Sequence, residues 1–521
     1  MVDLWFSPIA PVLIYLLGSG VIFLLARPHR DGYMVQSQHS VWIGLGVCLL
    51  VLVVLISRTG VGDMSQQQQL ARWTVSNEGF LALDQYSLAY ALMPTLFLIG
   101  FFWSGRSYQP VGLLVLAGTA TTVFISSDRL AISYTLFIFD LVAGLYWFYR
   151  GRSRLVTLHF VLSVATLQAL VFLDTTQPEN LVGQILAILL WCRVSLWPMA
   201  ALAGLDKHLA PSRMMMVWLV LNTSVSVYVA GSLFAIAWWP LLVGLITAFM
   251  LMMGWLAWLE NQILLKYLYL IIIQANLAFL VAPTQAEASI ALTLLYTLSL
   301  GVLWLTPQLG RPNVLERHWL WIYAAPIMMS VSLLGFPFTL GWFASHQIYQ
   351  ELLSTLSILP LSLIILAQAL SLSVLPSYWV WLLHRSEKQG IALRATLILV
   401  VPFLVPWLGG LTISTITGLD LSSNVDTALN PQPSWALILI VWLIALGTGF
   451  GRSKILKQLR MIPQRLVPLI DLGWFWQPAI RGIEMSDQTF IRFRALFEGQ
   501  SYFGWGLLLG LIGFLVLALN P

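Results

Sequence analysis

Long apolar stretches separated by short polar connections occupy nearly the whole chain. They fall at about 9–26, 41–57, 86–104, 110–127, 130–149, 155–173, 180–203, 212–233, 238–258, 262–282, 286–306, 319–352, 358–383, 393–416, 434–451 and 503–519. A helix crossing the bilayer core takes about 20 mostly apolar residues, so the pattern predicts about sixteen transmembrane helices in an all-α polytopic membrane protein. The runs group as 1–109 (helices 1–3), 110–233 (helices 4–8), 238–383 (helices 9–13), 393–451 (helices 14 and 15), a polar stretch 452–501, and a last span within 502–521. The first run follows Met1–Pro8 with neither a basic leader nor a small-residue cleavage site, and reads as a retained helix.

Three stretches depart from plain spans. The seventh run contains Pro198, and the twelfth contains Gly335, Pro337 and Gly341 within Gly335-Phe-Pro-Phe-Thr-Leu-Gly341. Proline removes a backbone donor and glycine weakens a helix, so both runs are expected to break inside the membrane. Broken helices persist there when buried in protein or lining a wet cavity, as in transporters; a packing kink is the plainer alternative. In 452–501 the residues Ile480, Ile483, Phe490, Ile491, Phe493, Leu496 and Phe497 recur at roughly helical spacing among arginines, which predicts an amphipathic helix along the interface.

Composition agrees with the pattern. Hydrophobic residues make up 59% of the 521 and charged residues only 9%, against about 25% charged in soluble domains. Of the 26 Lys and Arg residues, Arg58, Arg72 and Arg129 alone fall in the connections on one side, and Arg193 lies within a run; all the others share the opposite side. Retention of basic loops in the cytoplasm therefore puts both termini outside, and the expected location is a bacterial inner or thylakoid-type membrane. The same asymmetry accounts for the net charge of +5 without nucleic acid. Cys48 and Cys192 both lie in apolar runs and read as packed thiols, with no disulfide or metal spacing. Trp103, Trp147, Trp238, Trp239, Trp304, Trp474 and Trp476 sit near run ends, where interfacial anchoring is expected.

Ionisable residues deep in a bilayer are expensive, which makes each a functional candidate. Asp140 lies midway along the fifth run and Arg193 lies beside the Pro198 break. Opposite charges within about 4–6 Å would keep both ionised, and such a pair is either responsive to a neighbouring charge or a static lock on helix register. Lys266 opens the tenth run, ahead of Gln274 and Asn276, and could equally snorkel to the interface. His346 follows the second break and His159 lies in the sixth run; both could relay protons or simply be packed and hydrogen-bonded. No phosphate loop, metal-ligand cluster, nucleophile triad or cofactor motif is present, so no catalytic residue, metal or cofactor is expected.

The ordered motifs resemble the antiporter-like membrane subunits of respiratory complex I, its photosynthetic relatives and Mrp-type cation/proton antiporters. Phe80-Leu-Ala-Leu-Asp-Gln-Tyr-Ser-Leu88 is similar to the "LDxxS" opening of the family's third helix, and Ser126-Ser-Asp128 followed by Asp140 is similar to the fifth, which carries a glutamate. Arg193-Val-Ser-Leu-Trp-Pro198 stands where the family has a lysine before a proline break, and Asp206-Lys-His-Leu-Ala-Pro211 resembles the "PDAHxxAP" turn. Leu264-Leu-Lys-Tyr-Leu-Tyr269 with Gln274 resembles "KRxLAYSSxSQ", Gly335-Phe-Pro with Gly341-Trp-Phe resembles "GxPxxxGFxxK", and Phe497-Glu-Gly-Gln500 with Trp505 is similar to the tail of Mrp-type members. The resemblance runs from about Phe80 to the end of the chain.

It implies two inverted five-helix repeats, helices 4–8 and 9–13, each with one broken helix. It also implies a line of buried charges that carries protons, H+ or Na+/K+ as the ion, and other membrane subunits of a hetero-oligomeric complex as partners alongside lipid. The chain departs from that pattern at several positions. Asp140 replaces the glutamate and Arg193 the seventh-helix lysine, and arginine hardly ever releases its proton. Asn222, Thr223 and Ser224 occupy the place of the central lysine, Ala288 and Leu292 that of the eleventh-helix histidine and lysine, and Ser345 beside His346 that of the twelfth-helix cation.

The leading reading is a subunit of a proton- or cation-translocating assembly whose relay is partly lost. Its path candidates are Asp140, Arg193, Lys266, His346, Ser224 and Gln274, and at most it is a non-catalytic membrane subunit of an NADH:quinone oxidoreductase-like complex. A non-conducting scaffold of the same fold, and a free-standing secondary transporter, are the alternatives.

Overall fold

A computed structural model describes residues 7–25, 27–28, 34–35, 38–57, 71–74, 79–103, 110–149, 153–173, 180–198, 213–234, 238–260, 262–305, 327, 329–336, 339–376, 379 and 433–459. Their helices, in chain order, are α1 Ala10–Leu25, α2 Gln38–Ile56, α3 Gln85–Trp103, α4 Pro110–Phe124, α5 Arg129–Tyr149, α6 Ser153–Phe172 and α7 Leu181–Val194. They continue as α8 Arg213–Leu233, α9 Pro240–Leu259, α10 Ile263–Val281, α11 Ala286–Leu305, α12 Leu340–Thr355, α13 Ile358–Leu372 and α14 Pro433–Leu459. In hydrocarbon a backbone must satisfy its own polar groups, and these apolar stretches do so as helices. Among the described residues, six stretches are long and apolar enough to cross a membrane: His39–Ile56, Leu181–Pro198, Met215–Leu233, Pro240–Leu259, Ile358–Pro376 and Pro433–Arg452. The chain is an integral membrane protein.

Each described helix matches a predicted run, and α14 extends past the expected 434–451 to Leu459. The expected runs 393–416 and 503–519, the rest of the amphipathic stretch, the Asp206–Pro211 turn, Pro337 and the Phe497–Trp505 tail lie outside the described residues. Two short hairpins lie in the connections between helices: β1 Arg27–Pro28 with β2 Met34–Val35, and β3 Ala71–Thr74 with β4 Gly79–Leu83. The second closes the connection ahead of α3, and Leu81 also bridges to Ser126 after α4.

The packing centres on α8, which touches α3, α4, α5, α7, α10 and α11. Every residue from Met215 to Ala230 is buried. The outermost faces are apolar and exposed, as at Leu24 on α1 and Leu443 on α14, which suits contact with lipid. Trp238 departs from its expected anchoring role. It is buried, donates to the Phe279 carbonyl at 3.0 Å and stacks on the Phe279 ring at 4.9 Å. Its position just before α9 abuts the end of α10, so packing claims it.

A helix interruption lies in each of the two stretches that hold Pro198 and Gly335, and the two are built differently. Helix α7 stops at Val194 and turns at Ser195, before Pro198. Proline at 198 has no N–H for the Val194 carbonyl, and its ring crowds that carbonyl, so the turn forms upstream of it. The second break is a glycine stop. Gly335 adopts φ +71°, its N–H bonds to Ser332 O at 2.9 Å, and the Phe336 N–H reaches Val331 O at 3.2 Å. This double closure is the Schellman arrangement, which needs a left-handed residue that glycine supplies without strain. Thr339 then caps the restart by accepting from the Trp342 N–H at 3.2 Å. Gly341 lies so close to the stopped segment that a Cβ there would stand 1.7 Å from Ser332 O. Trp442 of α14 donates to the Leu334 carbonyl, and its ring stacks on Phe336 at 5.3 Å, buttressing the break.

Candidate functional site

Helices α5 and α7 bring Asp140 and Arg193 together. Arg193 Nη1 lies 2.5 Å from Asp140 Oδ2 and Nη2 lies 2.5 Å from Oδ1, a bidentate pair with each side chain 1% exposed. Matching the planar guanidinium to both carboxylate oxygens is the strongest geometry available to such a pair. Two further polar side chains bind the guanidinium. Arg193 Nη2 also donates to Asn222 Oδ1 at 3.2 Å and Nε to Ser226 Oγ at 3.3 Å. Asn222 and Ser226 are four apart on α8 and so share one face of that helix.

The position of Arg193 follows from the broken helix. It stands in the last turn of α7, where carbonyls lose their intrahelical partners. Asn222 Nδ2 fills that gap by donating to Arg193 O at 2.8 Å. Ser195, at the turn itself, donates to Asn276 Oδ1 at 2.6 Å, and Trp191 Nε1 reaches the same oxygen at 3.0 Å. On the other side of α5, His159 Nε2 lies 2.7 Å from the Asp140 backbone carbonyl, and the His159 ring lies against Trp197 at 5.4 Å. One centre thus joins α5, α6, α7, α8 and, through Ser195, α10.

The remaining candidates are spread through the bundle. Ser224 Oγ is 3.4 Å from Tyr296 OH on α11, and that hydroxyl lies 3.3 Å from Thr223 Oγ1. Gln274 of α10 pairs with Gln368 of α13, Nε2 to Oε1 at 2.8 Å and at 3.4 Å in return. Lys266 is buried near the start of α10, within electrostatic reach of Arg452 and Glu260. Arg452 donates to the carbonyls of Trp258, Leu259 and Glu260 at 2.8, 3.1 and 2.7 Å and so closes the end of α9. His346 is buried on α12, with Nδ1 2.7 Å from Ser434 Oγ of α14 and its ring parallel to Trp342. Among the described residues no group of three or more His, Cys, Asp or Glu side chains could hold a metal ion.

Sequence reasoning missed His159, Ser226 and the Trp191–Ser195–Asn276 junction as parts of this centre. A usable signal existed for Ser226, whose polar hydroxyl recurs one helical turn after Asn222 in an otherwise apolar stretch. The His159 contact uses a backbone carbonyl and leaves no trace in residue type.

No family profile and no curated protein matches the sequence. Solved structures do match its fold. A chain of respiratory complex I from Thermus thermophilus with bound aureothin superposes with a TM-score of 0.58 at 16% identity, covering 78% of this chain and 98% of that one. A chain of the membrane-bound sulfane sulfur reductase, an archaeal respiratory membrane complex, gives 0.63 at 15% identity over 98% and 99%. A chain of the Mrp complex from Dietzia sp. DQ12-45-1b gives 0.61 at 13% identity, and this chain spans only 62% of its length. The protein therefore shares its fold with membrane-embedded chains of respiratory and Mrp-type complexes.

Proposed function

We propose that the chain is an antiporter-like membrane subunit of a multisubunit proton- or cation-translocating complex, with Asp140 and Arg193 as its uptake pair. The observation that carries this is the buried bidentate contact inside a hydrogen-bonded centre at a helix break. Buried membrane charges are retained at a cost that function commonly explains, and broken helices are where transporters place such groups. Under this reading α4–α8 and α9–α13 are the two inverted repeats, each with its own break. On this reading the buried polar groups Ser224 in the first half and Gln274, Lys266 and His346 in the second carry the path onward. Coupling is electrostatic: a charge arriving beside Asp140 or Arg193 weakens their attraction and alters the next group's proton affinity.

The relay is incomplete by comparison with the family resemblance, because neutral Asn222, Thr223 and Ser224 stand at the centre of α8. That observation favours a second reading, a scaffold of the same fold whose ion pair locks helix register. Asp140→Asn in the assembled complex separates the two. Loss of proton pumping with normal assembly supports conduction, whereas unchanged pumping with normal assembly leaves the scaffold.

A further inference from the structure

At the end of the bundle where α3 begins and α8 finishes lies a cavity of about 440 Å³. Asp84, Tyr86, Tyr90, Arg129, Tyr228 and Ser289 are among its lining residues. Asp84 is held there as the cap of α3, accepting from the Ser87 N–H at 2.6 Å while Ser87 Oγ accepts from the Asp84 N–H at 2.7 Å. Tyr90 and Tyr228 meet edge to face at 5.1 Å.

Below them the facing sides of α8 and α11 carry hydroxyls at helical spacing. On α8 these are Ser224, Tyr228 and Ser232; on α11 they are Ser289, Thr293, Tyr296 and Thr297. Residues three and four apart share a helix face, so each set forms a stripe directed from the cavity toward mid-bundle. The Tyr90 hydroxyl faces those of Ser289 and Thr293. That of Tyr296 faces Thr293 in turn and lies 3.3 Å from Thr223 Oγ1 and 3.4 Å from Ser224 Oγ. Thr297 Oγ1, next on the α11 stripe, is fully buried with no hydrogen-bond partner among the described residues. A buried hydroxyl without a protein partner is ordinarily served by water.

We propose that this cavity is the mouth of a hydroxyl-lined half-channel, passing between α3, α8 and α11 to Thr223 and Ser224, that conducts water and protons. It deepens the conduction reading, on which its role rests, by linking one membrane face to the residue next to Asn222 in the Arg193 centre. Contacts of 3.3–3.4 Å around Tyr296 leave no room for a hydrated metal cation, so transport beyond the cavity is by proton hopping. In each hop an oxygen lone pair accepts a proton while the same hydroxyl releases its own to the next oxygen, which leaves no net charge behind. Thr293, Ser224 and Thr223 now donate to carbonyls of their own helices at 2.7, 2.8 and 3.0 Å. Each must swing off that carbonyl to pass a proton, which makes the ladder a gated path.

The test uses the assembled complex in oriented vesicles, with Cys48 and Cys192 replaced by alanine and a small impermeant methanethiosulfonate as probe. Only a thiol that water can reach ionises and reacts, so Ser289→Cys and Thr293→Cys should label at least about tenfold faster than the buried Ala275→Cys on α10, and from one side only. Labelling no faster than Ala275→Cys overturns the path, even where Asp140→Asn abolishes pumping. Tyr296→Phe should reduce pumping while leaving Thr293→Cys labelling intact; undiminished pumping removes Tyr296 and the hopping route. Rapid labelling together with unchanged pumping in Asp140→Asn sinks the uptake pair and keeps the water-filled mouth. Protection of Thr293→Cys by Na+ relative to choline overturns the assignment to protons.

Discussion

Asn222 holds Arg193 at both ends: its amide nitrogen donates to the Arg193 backbone carbonyl at 2.8 Å, and its amide oxygen accepts from the guanidinium at 3.2 Å. A single α8 side chain therefore caps the broken end of α7 and aims the cation at Asp140. Both jobs require an amide, because only a side chain with a donor and an acceptor on one plane can serve a carbonyl and an N–H together.

Asn222→Leu should destabilise the protein by about 2–4 kcal/mol, since it orphans a buried carbonyl and removes one partner of a buried charge. Thermal unfolding of the detergent-solubilised protein measures this. Asn222→Asp retains only the acceptor and should recover part of the loss, because the guanidinium keeps a partner while the Arg193 carbonyl does not. Equal losses for the two variants would mean that the carbonyl contact alone matters.

The ion pair itself should behave non-additively. Asp140→Asn or Arg193→Leu alone leaves a buried charge uncompensated, a penalty of about 3–5 kcal/mol. The double variant Asp140→Leu/Arg193→Leu removes both charges and should be far less damaging than the sum of the singles. Arg193→Lys should not rescue, because an ammonium cannot engage both carboxylate oxygens, Asn222 and Ser226 in one plane. Additive losses in a double-mutant cycle would show that the two side chains do not share their energy.

The second break makes a graded prediction. Gly341→Ala puts a methyl 1.7 Å from Ser332 O, a backbone atom that cannot yield without moving the stopped segment. Gly335→Ala forces an L side chain into φ +71°, which costs about 1–2 kcal/mol. Gly46→Ala on α2 meets nothing within 4 Å and should be neutral or slightly stabilising. Expression yield and unfolding temperature should rank Gly46→Ala above Gly335→Ala and Gly335→Ala above Gly341→Ala.

Much of this was legible in the residues. Continuous apolar runs gave the helices because a bilayer tolerates hardly any other backbone. Asp140 and Arg193 stood out as charges without neighbours of their own kind, and their partnership followed from the expense of leaving either alone. Pro198 and Gly335 lie beside helix interruptions, whereas Pro94 sits inside the continuous helix α3, so proline alone did not mark where a helix stops. The hairpin β3–β4 was hidden because its strands are only four and five residues long, too short for a period-two alternation to stand out, and β4 is apolar like the runs around it. Lys266 and His346 were legible as buried ionisable groups but not in their partners. His346 is matched with Ser434 across a long sequence gap, and nothing in either residue's surroundings announces the other.

Gln274 divides a structural role from a conducting one. Its amide and that of Gln368 bond head to tail across α10 and α13, and both are buried. Truncating one partner leaves the other's donor and acceptor unmet in a medium that offers no water, so Gln274→Leu or Gln368→Leu alone should cost about 1–3 kcal/mol. Replacing both by leucine removes the orphan and should restore most of the stability. The double variant is therefore the informative one for transport. If the amide pair only joins two helices, Gln274→Leu/Gln368→Leu should pump protons like the parent. If water is drawn to the pair as part of the path, pumping should fall in the double variant while its unfolding temperature stays near that of the parent. The reciprocal bonds at 2.8 and 3.4 Å use one N–H and one lone pair of each amide, so any water recruited to the pair would have to bind the second N–H or the second lone pair, and the double variant removes those too.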